Sequence, residues 1–256
     1  MILNEGGNIW PNDTEDFDHA IIGDMMKQIN SVVSKTGAKA LPMGSGATPT
    51  PGKRSGDLDM ILDAGKLIEF FKVKDAKAAR VELENLFQQA GFETKKTGTS
   101  VHVKTKVGGA AQQVDIMVVD NGETAQKFHV HDIPKGSPYK GVHKQILIAD
   151  LAKNTITDEY PEGMKWSAYK GLLARRDDSM ISNNLDEIAK ILLGDTAGAK
   201  DLSSVEAMVA ASPKAKELVD ALDANEDPKH PWNAKKVQPT ESLADKHLRR
   251  IKELMQ

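Results

Sequence analysis

Apolar side chains in the first part of the chain recur every three or four positions, the spacing of one buried helix face. The pattern predicts a helix over residues 13–36, with its apolar positions at Phe17, Ala20, Ile21, Met25, Ile29 and Val32. Either Asp13 or Thr14 is expected to cap this helix, because short polar side chains accept hydrogen bonds from the first free N–H groups. Gly37 is expected to end it.

Alternating and continuous apolar runs in the next stretch favour strands. These predicted strands lie at 39–43, 57–62, 92–96, 100–107 and 112–119. The last of them ends at Asp120-Asn121-Gly122, a turn sequence. Helical spacing returns at 75–90 and 138–153. Strands and helices that are mixed in this way indicate an α+β fold, with a sheet flanked by helices.

From about residue 181 the pattern becomes helical. Four segments carry helical spacing, at 184–193, 202–211, 213–223 and 240–255. The stretch 224–239 is polar, contains prolines and is predicted to be a loop or linker. The sequence therefore predicts an α/β domain over 1–176 and a small all-helical domain over 177–256, whose helices offer a surface for protein partners.

Composition narrows the classes of function. The chain has 256 residues, a formal net charge of −3 and no cysteine, which excludes disulfides, thiolate metal sites and a cysteine nucleophile. No apolar run reaches the length of about 18 residues that a membrane-spanning helix needs. Residues 1–8 lack a basic segment and a long apolar stretch, so no secretory signal is expected and a cytoplasmic location is the expectation.

The richest chemistry lies in the loop and strand after Gly44-Ser45. Asp57 and Asp59 are one residue apart on a predicted strand, so their carboxylates share one side of it. An Asp-x-Asp pair alone is a weak signal and is common in solvated loops. Asp115 strengthens the signal, because it interrupts an apolar strand, where an uncompensated carboxylate is costly.

These residues resemble the motif of the DNA polymerase β-like nucleotidyltransferase superfamily. The likeness rests on Gly44-Ser45, on Asp57-Leu58-Asp59 and on Asp115 in Val114-Asp115-Ile116. It implies a mixed sheet flanked by helices and two-metal catalysis with Mg²⁺ or Mn²⁺. It further implies that the three aspartates are catalytic metal ligands and that Gly44 and Ser45 bind the phosphates of a nucleoside triphosphate.

Basic residues are candidates for further nucleotide contacts. Lys53 and Arg54 lie in the loop before Asp57, and Lys140 and Lys144 share one side of the predicted helix 138–153. Each pair is equally compatible with a solvated basic surface. For Tyr139 and Trp166 two alternatives stay open, base stacking and core packing. His129 and His131 are interpreted as surface residues.

The resemblance predicts a metal-dependent nucleotidyltransferase that moves a nucleoside monophosphate from a triphosphate to a hydroxyl. The acceptor stays open between a nucleic-acid 3′ end, a protein side chain and a small molecule. The alternative is a non-catalytic structural or binding component with the same fold. Residues 5–9 also resemble uncharacterised nucleotidyltransferase-like proteins of tailed bacteriophages, for which the location would be the host cytoplasm or the virion.

Overall fold

The computed structural model describes residues 9–10, 13–134, 136–227 and 229–234. Its strands are Phe17–Asp18 (β1), Leu41–Pro42 (β2), Arg54–Ser55 (β3), Asp57–Asp63 (β4), Glu93–Thr97 (β5), Ser100–Val107 (β6), Ala110–Val119 (β7), Met164–Ser167 (β8), Gly171–Ala174 (β9) and Met180–Ser182 (β10). Its α-helices are Ile22–Val33 (α1), Ala64–Phe71 (α2), Ala76–Gln89 (α3), Gly122–His129 (α4), Gly141–Asn154 (α5), Leu185–Leu193 (α6), Val205–Ala211 (α7), Pro213–Asp223 (α8) and Pro231–Ala234 (α9).

A five-stranded mixed sheet in the order β2-β4-β7-β6-β5 forms the centre of the N-terminal part. Strands β4 and β7 are parallel, and the other neighbours are antiparallel. The main hydrophobic core covers one face of this sheet and includes residues of α1 and α3. A smaller cluster on the opposite face joins Ile61 and Met117 to Ala125 of α4. The α+β class and the mixed sheet flanked by helices are confirmed.

The hairpin between β6 and β7 fixes the register of the inner strands. Gly108 and Gly109 have φ angles of 63° and 89°, which a glycine adopts without a steric penalty. Val107 therefore pairs with Ala110, and the antiparallel register continues to His102 opposite Asp115. This pairing sets an imidazole beside a carboxylate at the middle of the sheet.

The predicted helix 13–36 begins too early. Phe17–Asp18 instead form β1, which pairs with β3, and the helical residues start with a 3₁₀ turn at His19–Ile21. Asp18, rather than Asp13 or Thr14, is the cap, because its carboxylate accepts a hydrogen bond from the Ala20 N–H at 2.8 Å. The predicted end at Gly37 is confirmed by its left-handed φ of 72°.

Two helices that the sequence pattern did not predict, α2 and α4, follow the parallel strands β4 and β7. The Asp63 carboxylate accepts hydrogen bonds from the first turns of both helices. One of its carboxylate oxygens accepts from Gly65 N–H at 2.9 Å, and the other accepts from Gly122 N–H at 3.1 Å. A Cβ atom at Gly122 would lie 3.1 Å from the Asp63 backbone nitrogen, so a larger residue there would displace the backbone by a few tenths of an ångström.

A second hydrophobic core gathers residues of α5, α6, α7 and α8. Strands β8, β9 and β10 form an antiparallel sheet beside it, so the part after residue 176 is not wholly helical. The predicted loop 224–239 contains α9, whose Trp232 is fully buried. The predicted domain boundary at 176 stays a prediction, and the predicted helix 240–255 lies outside the described residues.

Among the described residues, no helix is long and apolar enough to cross a membrane.

Candidate functional site

Three carboxylates converge at the junction of β4 and β7. Asp57, Asp59 and Asp115 each offer an oxygen atom, and these atoms lie within 4.8 Å of one another. The parallel register pairs Asp59 with Asp115, while the alternation of β4 turns Leu58 and Met60 to the main core on the other face. The same alternation that buries the apolar residues therefore brings the acidic ones together.

The electrostatics of this cluster favour a bound cation. Burial raises the pKa of Asp57, and the neighbouring charge of Asp115 raises it further. Neighbouring carboxylates repel one another, and a divalent cation between them offsets that repulsion. Three carboxylate oxygens form a hard donor set of the kind that Mg²⁺ and Mn²⁺ prefer, so the residues present fit such an ion.

Asp115 is held by a buried hydrogen-bond network. Its Oδ1 lies 2.7 Å from His102 Nδ1 and 2.9 Å from Gln113 Nε2. His102 Nε2 lies 2.6 Å from Thr97 Oγ1, and Ile9 N–H donates to Gln113 Oε1 at 2.7 Å. In the neutral imidazole, Nδ1–H donates to the carboxylate and Nε2 accepts from the Thr97 hydroxyl. The orientation of Asp115 is therefore set from two sides.

The Gly44–Gly46 turn packs directly against the carboxylates. It is a single 3₁₀ turn in which Gly44 has a φ of 56°. A Cβ atom at Gly44 would lie 3.6 Å from Asp59 Oδ2, and one at Gly46 would lie 2.5 Å from Leu58 Cδ1. The leading N–H groups of a helical turn have no acceptor within the turn. The φ of Gly44 and the close contact at Gly46 thus favour glycine in this turn, whose Gly46 N–H donates to the Met43 carbonyl at 3.0 Å and whose leading N–H groups are those of Gly44 and Ser45.

A second histidine, His19, lies behind this turn. His19 Nε2 is 2.8 Å from Ser55 Oγ, and Ser55 Oγ is 3.3 Å from Ser45 Oγ. His19 Nδ1 accepts a hydrogen bond from Thr50 N–H at 3.2 Å. The side chain is only 2% exposed, and burial, followed by the charge of Lys53, lowers its pKa.

Lys53 and Arg54, the two basic residues predicted to contact the nucleotide from this loop, have different environments. Lys53 is fastened by its backbone, because its carbonyl accepts from His19 N–H at 2.9 Å. The Arg54 guanidinium donates to the Asp16 carbonyl at 2.6 Å. Arg54 thus ties β3 to the segment before β1, while the Lys53 ammonium is close enough to His19 and His131 to lower the pKa of both.

Lys140 and Lys144 belong to α5, and their environments differ. Lys140 has an exposed side chain at the N-cap position. Lys144 is buried, its ammonium donates to the Val130 carbonyl at 2.8 Å, and burial lowers its pKa to about 8. Lys144 therefore supports the segment between α4 and α5, and nucleotide contact by either lysine stays a prediction.

The interpretation of His129 and His131 as surface residues is wrong. His129 is 7% exposed, and its Nδ1 lies 2.8 Å from the Ala125 carbonyl. The His131 imidazole packs against Gly141, where an added Cβ would clash with the ring. Burial lowers the pKa of His131 to about 3, and the charge of Lys144 adds to this effect.

The two aromatic candidates belong to the second core rather than to an open stacking surface. Tyr139 O–H donates to Asp223 Oδ2 at 2.7 Å. Trp166 packs edge-on against Phe128, and its indole N–H donates to Gln145 at 2.6 Å. For both side chains the packing alternative accounts for their contacts.

Sequence reasoning missed four polar residues that shape the site. They are His19, Ser55, His102 and Gln113. A signal for His102 exists in the sequence, since a two-residue Gly108-Gly109 hairpin pairs residue 107 with 110 and hence 102 with 115. For His19 there is none, because its contact with Ser55 spans 36 positions.

No known protein-family model matches this chain. No curated protein matches its sequence either.

Proposed function

We propose that this protein is a metal-dependent nucleotidyltransferase that moves a nucleoside monophosphate from a nucleoside triphosphate to a hydroxyl acceptor. In this reaction the acceptor oxygen bonds to the α-phosphorus, the bond between that phosphorus and the β-bridging oxygen breaks, and pyrophosphate and one proton are released. The observation that carries the proposal is the convergence of Asp57, Asp59 and Asp115 beside the Gly44–Gly46 turn.

In this proposal the acidic cluster binds the metal and the turn binds the phosphates of the substrate. Asp57, Asp59 and Asp115 are the residues that would hold Mg²⁺ or Mn²⁺. Bound there, the metal supplies charge neutralisation on the phosphates and lowers the pKa of the acceptor hydroxyl. The free N–H groups of the turn and the Ser45 hydroxyl donate to phosphate oxygens, since oriented backbone amides form an anion-binding concavity.

Neighbouring residues keep this arrangement fixed. His102 and Gln113 hold Asp115, so that the carboxylate enters the reaction without a change of rotamer. Burial of Asp57 strengthens its interaction with any cation, because charges attract more strongly where water is excluded. The exposed side chains of Lys53 and Lys140 are candidates for further phosphate contacts.

The direct test is label transfer. The full chain is incubated with each α-labelled nucleoside triphosphate, Mg²⁺ or Mn²⁺, and a pool of primer DNA, tRNA and cell extract. The Asp57→Asn/Asp59→Asn variant should lose transfer by more than ~100-fold, because even residues that only orient metal ligands are worth about 10–100-fold. Asp120→Asn, which removes an exposed carboxylate in the turn after β7, is the matched control and should retain activity.

The labelled species identifies the acceptor. Equal transfer by wild type and the double variant would refute the assignment of the carboxylates. Absence of transfer together with absence of metal-dependent triphosphate binding would favour the non-catalytic structural component instead.

A further inference from the structure

A chain of hydrogen bonds leads from a buried histidine to the hydroxyl group of the Gly44–Gly46 turn. Its members are His19, Ser55 and Ser45, with successive distances of 2.8 Å and 3.3 Å. None of the three is an acidic residue of the cluster, and His19 comes from a different part of the chain. The direction of each hydrogen bond in this series follows from which of its atoms can donate.

The first link has a defined direction. Thr50 N–H can only donate, so His19 Nδ1, which lies 3.2 Å from it, must be the unprotonated nitrogen. A neutral imidazole with an acceptor at Nδ1 carries its proton on Nε2. His19 Nε2–H therefore donates to Ser55 Oγ. Burial and the nearby positive charge of Lys53 lower the pKa of His19, which keeps the ring in this neutral form.

The second link follows from the first. A hydroxyl that accepts from an imidazole N–H keeps its own proton for donation. Ser45 Oγ lies within reach of Ser55 Oγ, and it can accept that proton. Ser45 then has its own O–H free to donate outwards. Hydrogen bonds in such a series polarise one another and strengthen the terminal donor.

The backbone holds His19 and Ser55 in place. β1 and β3 pair so that Phe17 lies opposite Ser55, two residues before His19. His19 N–H donates to the Lys53 carbonyl, and Gly52 N–H donates to the Asp18 carboxylate at 3.1 Å. The loop between the turn and β4 is thereby fastened around the His19 side chain.

We propose that His19 is a positioning residue that acts through Ser55 to present the Ser45 hydroxyl as a hydrogen-bond donor to a phosphate oxygen of the nucleoside triphosphate. This inference rests on the proposed function and adds to it a relay of neutral groups. Because every link donates towards the substrate, the relay favours an anionic ligand. A carboxylate or phosphate oxygen, which only accepts, satisfies the outward Ser45 O–H.

Binding of inorganic tripolyphosphate in the presence of Mg²⁺, measured by calorimetry, tests the relay. Ser45→Ala and Ser55→Ala should each weaken binding by about 5–10-fold, as expected for the loss of one typical hydrogen bond. The double variant should bind within about twofold of Ser45→Ala, because the two residues act in series. Ser31→Ala, which alters an exposed serine of α1, should bind like wild type.

The histidine is tested by variants and by its tautomer. His19→Gln retains an N–H donor near the position of Nε2 and should bind more tightly than His19→Leu. Thermal melting of both variants separates loss of fold from loss of the donor. In ¹⁵N NMR spectra the imidazole signal that disappears in His19→Gln should report a proton on Nε2 and none on Nδ1.

The outcomes separate this inference from the proposed function. If wild type binds tripolyphosphate but Ser55→Ala binds equally well, or if the two serine variants have additive effects, the relay is wrong and the nucleotidyltransferase proposal stands. A proton on Nδ1 of His19 also refutes the relay. If wild type binds neither tripolyphosphate nor nucleoside triphosphates with metal, both proposals fall.

Discussion

His102 Nδ1 lies 2.7 Å from Asp115 Oδ1, and both side chains are buried, with 6% and 5% of their surface exposed. The two residues are directly opposite each other in the β6–β7 register. A buried carboxylate is expensive unless hydrogen bonds compensate for the lost water. The imidazole therefore makes it possible for an acidic group to occupy the middle of the sheet.

Removal of the His102 donor should weaken metal binding. His102→Leu leaves Asp115 with fewer donors, and loss of a residue that orients a metal ligand typically costs about 10–100-fold in affinity. We expect Mn²⁺ affinity, measured by calorimetry, to fall by about tenfold or more. His102→Asn, whose amide N–H can replace Nδ1–H, should recover part of this loss.

The matched control is Lys106→Gln, which alters an exposed residue on the same strand. Urea denaturation in the absence of metal provides the second readout. His102→Leu should reduce the free energy of unfolding by about 1–3 kcal/mol, the cost of an unsatisfied buried group. Unchanged Mn²⁺ affinity in His102→Leu would show that Asp115 is not a ligand or does not need this support.

Neutralisation of Asp57 should stabilise the metal-free protein at neutral pH. The folded-state pKa of Asp57 is raised above its ordinary value of 3.8, so between the unfolded-state and folded-state pKa values the folded protein binds more protons than the unfolded chain. Stability contributed by this group is therefore lost as pH rises through the folded pKa. Asp57→Asn should melt a few degrees higher than wild type at pH 7, and the difference should vanish as pH approaches the unfolded pKa.

Addition of metal should reverse the order of the melting temperatures of wild type and Asp57→Asn. Wild type should gain thermal stability on addition of Mg²⁺ or Mn²⁺, because a ligand that binds only the folded state stabilises it. Asp57→Asn should gain much less. A lower melting temperature of metal-free Asp57→Asn at pH 7 would contradict the electrostatic origin of the shift.

Lys144 should make stability rise with pH in the alkaline range. Burial lowers its pKa from 10.5 to about 8, so between these values the unfolded chain binds more protons than the folded protein. We compare the free energy of unfolding of wild type with that of Lys144→Met. This difference should shift in favour of wild type by an amount on the order of 3 kcal/mol between pH 7 and pH 10.5.

Urea denaturation at a series of pH values measures this difference. Lys153→Met is the matched control, because Lys153 is an exposed lysine of the same helix. A flat difference for Lys144→Met would mean that the buried ammonium has an ordinary pKa.

The acidic site was predictable because its signals are local. Alternation along one strand places Asp57 and Asp59 on the same side, and the cost of burying Asp115 in an apolar run marks it as exceptional. The step that a sequence pattern does not contain is the parallel pairing of Asp59 with Asp115, which is a long-range contact. Resemblance to a family motif supplied that step.

The errors have physical causes too. The predicted helix 13–36 starts too early because Phe17 fits the helical spacing of apolar residues. In the structure, Phe17 instead belongs to a strand and pairs with Ser55. The predicted surface position of His129 and His131 failed because burial depends on how α4 and α5 pack. Trp232 is buried by packing against α5 and α8, a contact that no local pattern in its polar segment reveals.

Gly46 should be essential for the geometry of the acidic cluster. A Cβ atom at this position would lie 2.5 Å from Leu58 Cδ1, and Leu58 stands between Asp57 and Asp59 on β4. Gly46→Ala must therefore displace either the turn or the strand. Forcing an extra carbon into a packed site costs about 1–3 kcal/mol of stability, and we expect Mn²⁺ affinity to fall with it.

A compensating substitution distinguishes this clash from a general effect of alanine. Leu58→Val shortens the side chain that meets the new Cβ, so Gly46→Ala/Leu58→Val should be more stable than the sum of the single changes predicts. Gly23→Ala is the matched control, because Gly23 lies in α1 with nothing within 4 Å of its added Cβ, and alanine there should stabilise the helix by about 0.5–1 kcal/mol. Additive behaviour of the Gly46 and Leu58 variants in urea denaturation would show that an added Cβ at position 46 does not clash with Leu58.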